Sequence, residues 1–304
     1  MGHKLIETES VRKYFQLAST DAYTRFKEFV ELWENEDVKM ILAARGGDFL
    51  IEIIPYLHEY FKDKSKIKYA KWVQGYSDIS TLNFYLTTNY NIATIQATNL
   101  NAYAMNPMHQ SILNSFLAIS NNQDFEQCNY ELWEKEEHED ESKNNYTFNL
   151  TEKACFKVLN NKEESIKFSG RLIGGCLDAI SMYVNTKWDN VSNFVEQFKD
   201  EGIIWYFDNY GFVSPNLYVI LFLMKQAGWF KYIKGILIGR SFCNSNIPDF
   251  TYEDALIKGL SDLNVPIIYD LDIGHLPPQW TMINGSFAEF EYTKEQCKLI
   301  QKKL

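Results

Sequence analysis

Val73-Gln74-Gly75-Tyr76-Ser77-Asp78 joins a short apolar strand to a helix through a glycine, with a serine one residue ahead of the helix. Strand, tight turn and helix in that order form the repeating unit of a parallel α/β sheet, and the turn pushes the serine hydroxyl out at the carboxyl edge of the strand. The helix N-terminus behind it aims free N–H groups at the same spot, where a developing oxyanion would be stabilised. G-x-S alone more often marks a helix cap. Ile79 stands where the second glycine of a G-x-S-x-G elbow belongs, so the common α/β-hydrolase fold is not indicated.

Working outward, helix-like and strand-like periods alternate from Thr20 to Gln96, the pattern of βαβ units and a doubly wound sheet. Ser19 or Thr20 is placed to cap a helix with Phe26, Phe29, Val30 and Trp33 on one face. Strands are expected at Val38 to Ala43, Lys71 to Gln74 and Ile92 to Gln96, with helices from about Asp48, interrupted by Pro55, and from about Asp78 to Thr88. Between Asn121 and Asn149 the composition turns to Asn, Gln, Glu, Lys and Asp, with an acidic cluster from Glu134 to Glu141 that reads as a solvated connector containing an exposed His138. Beyond it, Ala154 to Leu159 and Ile166 to Ser169 alternate like antiparallel strands. Buried runs follow at Ile203 to Phe207, Gly235 to Ile238 and Pro266 to Tyr269. The expected organisation is a parallel-sheet domain over residues 1–120, a linker or exposed hairpin over 121–150 and a mixed α/β domain over 151–304.

The chain has 304 residues, 46% hydrophobic and 15% aromatic, enough for a large core. Its formal charge of −10 repels phosphate backbones and anionic lipid, and no basic patch offsets it, which argues against nucleic-acid and membrane partners. The longest apolar run, Leu217 to Met224, is far short of the ~20 residues that span a bilayer. The N-terminus shows no targeting segment, and five scattered cysteines without C-x-x-C spacing fit neither a disulfide framework nor a zinc knuckle. A cytoplasmic location is expected.

Two further strand ends carry chemistry. His275, in Asp272-Ile273-Gly274-His275-Leu276-Pro277-Pro278, sits in a loop stiffened by glycine and proline that holds an imidazole in one orientation. Asp208 ends the apolar run from Ile203. Sites in open α/β sheets lie outside the carboxyl ends of strands, so Ser77, Asp208 and His275 occupy equivalent positions, and Ser-Asp-His is a permitted triad order. Asp270 and Asp272 compete with Asp208 for the orienting role, and spacing does not choose among them. His3, His58, His109 and His138 have no ligand-like partners nearby in sequence, so no metal or cofactor is expected. Arg45-Gly46-Gly47-Asp48 and Gly170-Arg171-Leu172-Ile173-Gly174-Gly175 are glycine turns that either pack helix on strand or bring backbone close to a substrate. Neither matches a nucleotide-binding pattern.

Taken in order, Lys39 to Asp48, Gly75-Tyr76-Ser77-Asp78-Ile79-Ser80, Gly170 to Gly175 and Asp272-Ile273-Gly274-His275 resemble the LD-carboxypeptidase family of serine peptidases, which includes the microcin C immunity proteins. The resemblance implies a flavodoxin-like N-terminal domain and a swivelling C-terminal domain, a homodimer, and Ser77 as nucleophile with His275 as base. It also implies an oxyanion hole from the Asp78 and Gly47 amides, with Arg45, Gly46, Gly174 and Gly175 near the substrate. Arg171 is a further candidate for a substrate carboxylate, against a structural ion pair. The substrate implied is a small peptide whose amide adjoins a free carboxylate: a muropeptide losing terminal D-alanine or, alternatively, a peptidyl-adenylate. Where the family carries a Glu, this chain has Asp208, one methylene shorter. The family's first strand and helix have no counterpart ahead of Gly2, so the N-terminal sheet is expected to lack a strand; a catalytically silent binding protein is the alternative of a different class.

Overall fold

Ile203–Asp208 is buried at every residue, which requires a sheet covered on both faces. The computed structural model, which describes residues 4–120, 123–135, 147–159, 163–243 and 247–304, places this strand inside a sheet of eight. In chain order the strands are β1 (Met40–Leu42), β2 (Trp72–Gln74), β3 (Thr94–Gln96), β4 (Phe125–Cys128), β5 (Leu132–Trp133), β6 (Glu152–Lys153) and β7 (Lys157–Val158). They continue as β8 (Ser165–Cys176), β9 (Ile203–Asp208), β10 (Ile233–Gly239), β11 (Ile267–Leu271), β12 (Met282–Asn284), β13 (Phe287–Thr293) and β14 (Cys297–Gln301). The helices are α1 (Ala22–Glu34), α2 (Ile54–Tyr60), α3 (Ile79–Tyr90), α4 (Gln110–Ser120), α5 (Leu177–Ile180), α6 (Val191–Gln197), α7 (Ser214–Gln226) and α8 (Tyr252–Leu260).

The large sheet runs β4-β14-β13-β8-β9-β10-β11-β7, and its centre, β8 to β11, is parallel. The smaller sheet runs β1-β2-β3-β12, parallel except for β12. β12 comes from late in the chain and pairs antiparallel with β3, so the smaller sheet draws on both halves of the sequence. β1 is its outer strand, with every residue only half-buried.

Residues of β9 alternate between two hydrophobic clusters, as a period of two demands. Ile203, Trp205 and Phe207 join the helices of the N-terminal half in one core; Ile204 and Tyr206 face the other with Trp280, Phe290 and Leu299. α3 is buried on all sides, and its Phe84 stacks on Trp229 (5.2 Å), which stacks on Trp205 (5.5 Å). The helix behind Ser77 is therefore packed directly against the large sheet.

Several expectations change in detail. Asp21, rather than Ser19 or Thr20, caps α1, accepting from the Thr24 amide at 2.9 Å. Residues 154–159 do not form one strand; within them only Lys157–Val158 is strand, as β7, and β6 lies just ahead of them. The segment 170–175 is not a turn but the second half of the twelve-residue β8. The connector contributes β4 to the large sheet and β5 to a two-stranded ribbon with β6, whereas His138 and most of the acidic cluster lie outside the described residues. Among the described residues no helix is long and apolar enough to cross a membrane.

Candidate active site

β2 ends at Gln74, and the chain turns through Gly75, Tyr76 and Ser77 into α3. Ser77 adopts φ 68°, a left-handed conformation that costs a non-glycine residue on the order of 1–3 kcal/mol and persists only where the surroundings enforce it. Here they do. Asn83 donates from Nδ2 to the Gly75 carbonyl (3.1 Å), the Tyr76 amide donates to Asn99 Oδ1 (3.2 Å), and the Ser80 amide donates to the Ser77 carbonyl (2.9 Å). Any Cβ at position 75 would fall 2.7 Å from Asn99 Oδ1 and 2.9 Å from Ala43 Cβ, so only glycine admits this approach.

The Arg45–Asp48 turn lies against the serine. A Cβ on Gly46 would sit 3.0 Å from Ser77 Cβ and 3.1 Å from Ser77 Oγ, and one on Gly47 would sit 3.4 Å from Asp78 Oδ2. The Leu50 amide donates to Asp78 Oδ2 at 2.9 Å, tying turn to elbow. Burial pushes the Asp78 carboxyl up to about 6, with the hydrogen bond from Leu50 opposing it. Among the described residues neither the Asp78 nor the Gly47 amide has a hydrogen-bond acceptor. Arg45 is exposed on the same turn.

On the large sheet, buried Asp208 ends β9 and its Oδ2 accepts from His275 Nδ1 at 3.0 Å. Donation from Nδ1 leaves Nε2 with the lone pair, the form a general base needs. That atom is buried without a hydrogen-bond partner, so no bond joins it to Ser77 Oγ. The shorter acid reaches the imidazole because the loop presses on it: Gly274 has φ 95°, and a Cβ there would lie 2.1 Å from Asp208 Oδ2. The ring is packed by Tyr210 (4.5 Å between centroids), Tyr76 (5.0 Å) and Phe242 (6.3 Å). Tyr76, next to Ser77, thus brings the elbow against the histidine loop.

The competing aspartates are engaged elsewhere. Asp272 pairs with Arg240 (2.6 Å) and accepts from the Tyr130 amide (2.8 Å); Asp270 pairs with Lys157 (3.0 Å). Arg171 makes the structural ion pair, binding Glu201 and the Gly285 carbonyl. Gly174 and Gly175 serve close packing, since a Cβ on the first would lie 1.8 Å from the Tyr206 carbonyl oxygen and on the second 2.9 Å from Ser80 Cβ. Ser80 Oγ in turn accepts from the Cys176 amide (3.0 Å), binding α3 to β8.

The sequence reading missed Tyr210, Phe242 and Cys176. Cys176 ends β8 directly opposite Asp208 in the parallel register. The strand-end rule that selected Asp208 selects Cys176 too, once 170–176 is read as a strand rather than a turn. A cleft of about 280 Å³ opens beside the histidine loop, lined by Trp133, Lys153, Lys157, Arg240 and Leu276 among others. The Arg240 guanidinium lies over the Trp133 ring at 4.9 Å.

Residues 1–97 match the LD-carboxypeptidase N-terminal domain and residues 169–290 the LD-carboxypeptidase C-terminal domain. A Vibrio cholerae protein bearing a carboxypeptidase name is 23% identical over 98% of this chain and 86% of its own. The crystal structure of an MccF-like protein from Bacillus anthracis superposes with TM-score 0.76 at 22% identity, covering 95% of this chain and 84% of that one. MccF in complex with glutamyl sulfamoyl guanosine gives 0.76 at 18% identity, covering 97% and 85%. At these identities the structural likeness concerns the fold.

Proposed function

The chain belongs to the LD-carboxypeptidase family of serine-type hydrolases, and from that premise we propose that it hydrolyses an amide next to a free carboxylate, releasing terminal D-alanine from cytoplasmic muropeptides. The observation that carries the reading is the Asp208–His275 hydrogen bond, with Nε2 unpartnered, beside a serine held in a strained strand-to-helix turn.

In the proposed reaction Ser77 Oγ attacks the scissile carbonyl carbon while His275 Nε2 accepts its proton. Asp208 keeps Nδ1–H directed at itself and stabilises the imidazolium. The oxyanion is received by the Asp78 and Gly47 amides, which have no acceptor among the described residues. His275 then returns the proton to the departing amine as the C–N bond breaks; a water, deprotonated by the same imidazole, attacks the acyl-serine ester, and the imidazolium gives that proton to Ser77 Oγ as the ester C–O bond breaks. Arg45, exposed on the turn beside Ser77, offers a guanidinium to the substrate carboxylate. The Ser77–His275 bond forms with substrate bound, as catalytic hydrogen bonds commonly tighten only in the complex. A homodimer and a cytoplasmic location complete the reading.

A second reading, hydrolysis of a peptidyl-adenylate, is favoured by the cleft beside the histidine loop, where Trp133 offers an aromatic shelf and Lys153 positive charge, the charges of Lys157 and Arg240 being met by Asp270 and Asp272. One assay separates these. Wild type and Ser77→Ala are incubated with a muropeptide tetrapeptide and, in parallel, with a peptide carrying a non-hydrolysable nucleotide linkage beyond its scissile amide. D-Alanine release by wild type and not by the variant supports the first reading, and cleavage of the nucleotide conjugate alone supports the second. Activity on neither substrate leaves the catalytically silent alternative, and equal activity in both proteins refutes Ser77 as the nucleophile.

A further inference from the structure

We propose that Cys176, Asp208 and His275 form a binding site for a borderline-soft divalent cation, of which zinc is the type, and that a bound ion disables the histidine. Cys176 Sγ, a carboxylate oxygen of Asp208 and a ring nitrogen of His275 lie within 4.8 Å of one another. A tetrahedral zinc with bonds of about 2.0–2.3 Å sets its ligands roughly 3.3–3.8 Å apart, so the three atoms need to close by only about 1 Å. Thiolate, imidazole and carboxylate together are a ligand set that zinc prefers over magnesium or calcium, which favour oxygen alone.

One observation points to a missing partner. Asp208 Oδ1 is buried without a hydrogen bond, on a residue with no exposed surface. An unpaired buried polar atom is costly, and a coordinated ion satisfies it. The Cys176 thiol carries a single proton, which points to Asp178 Oδ2 at 3.6 Å, with the Asp208 carboxylate as the alternative acceptor. An entering cation must displace that proton. Once it has, thiolate and carboxylate neutralise the two positive charges, and no net charge is buried.

The register explains why these residues meet. Cys176 and Asp208 are partners at the ends of adjacent parallel strands, and the Gly274 turn lays His275 over both. Tyr210, 45% exposed, leans on the imidazole from the solvent side.

The test uses the whole protein, stripped with chelator and titrated with Co²⁺ and then Zn²⁺, reading the near-ultraviolet thiolate-to-cobalt charge-transfer band. The expected result is a saturable band at one equivalent, abolished by Zn²⁺, absent from Cys176→Ser and retained in Cys155→Ser. Asp208→Asn is expected to weaken cobalt binding at least about tenfold. No band in wild type, or the same band in Cys176→Ser, overturns the proposal. Because the band reports the ion and not turnover, the result stands apart from the hydrolase assay: a chain that hydrolyses nothing still passes or fails here.

Discussion

Asp208 is the residue on which the site turns, and its environment sets how it responds to change. Asp208→Asn keeps the shape but removes the charge that stabilises an imidazolium and lets the wrong histidine tautomer form; in the reaction proposed, kcat is expected to fall by about 10⁴-fold, as in the serine protease triad. Asp208→Glu, which restores the acid typical of the family resemblance, is expected to lower activity as well. The carboxylate already touches the Gly274 backbone, and an added methylene in a fully buried position costs about 1–3 kcal/mol of strain. Steady-state kinetics and thermal melts of the two variants check this, and a glutamate variant more active than wild type refutes the packing argument. Asp78 governs pH dependence. Its folded-state carboxyl lies at about 6 against an ordinary 3.8, so the unfolded chain releases the proton first as pH rises. Stability therefore falls between about pH 4 and pH 6, by at most about 3 kcal/mol, and is flat above. Asp78→Asn is expected to be more stable than wild type at pH 7 and no more stable at pH 3.5; a difference between the two proteins that does not change with pH excludes Asp78 as the cause.

At the scale of the element, legibility followed how local the signal was. β1, β2 and β3, α3, and the buried strands β9, β10 and β11 were readable because apolar period and turn chemistry are properties of near neighbours. β8 was misread at 170–175 because glycines, taken locally, signal a turn. In the sheet they have another cause: Gly174 lies against the Tyr206 carbonyl and Gly175 against Ser80, so the strand accepts neighbours that a side chain would hold off. β12 gave no sign in the sequence that it would cross to the smaller sheet, since its pairing with β3 joins residues nearly two hundred positions apart.

Across the whole molecule, Asn284 is one residue that stitches the two sheets together. Its Oδ1 accepts from the Gly174 amide (3.1 Å) and from Tyr206 Oη (2.9 Å), while Nδ2 reaches Thr94 Oγ1 (3.4 Å), so one buried side chain touches β3, β8 and β9. Asn284→Ala leaves a buried amide and a buried phenol without acceptors, and urea unfolding is expected to show a loss of about 2–4 kcal/mol. A midpoint unchanged from wild type refutes the stitching role. The same coupling, with Phe84 stacked between Tyr183 and Trp229, holds the serine turn of one sheet and the acid and histidine of the other at a common rim. By itself the sequence determined the alternation of strand and helix, the glycine turn before Ser77, the stiff loop around His275 and the resemblance to a family, all of them written in adjacent residues. Only the tertiary structure chose Asp208 over Asp270 and Asp272, bent Ser77 to a positive φ and set Cys176 beside the acid. Those outcomes depend on parallel register and on a loop returning 67 residues later to lie against a strand end, and no spacing along the chain encodes which of several carboxylates such a loop will meet.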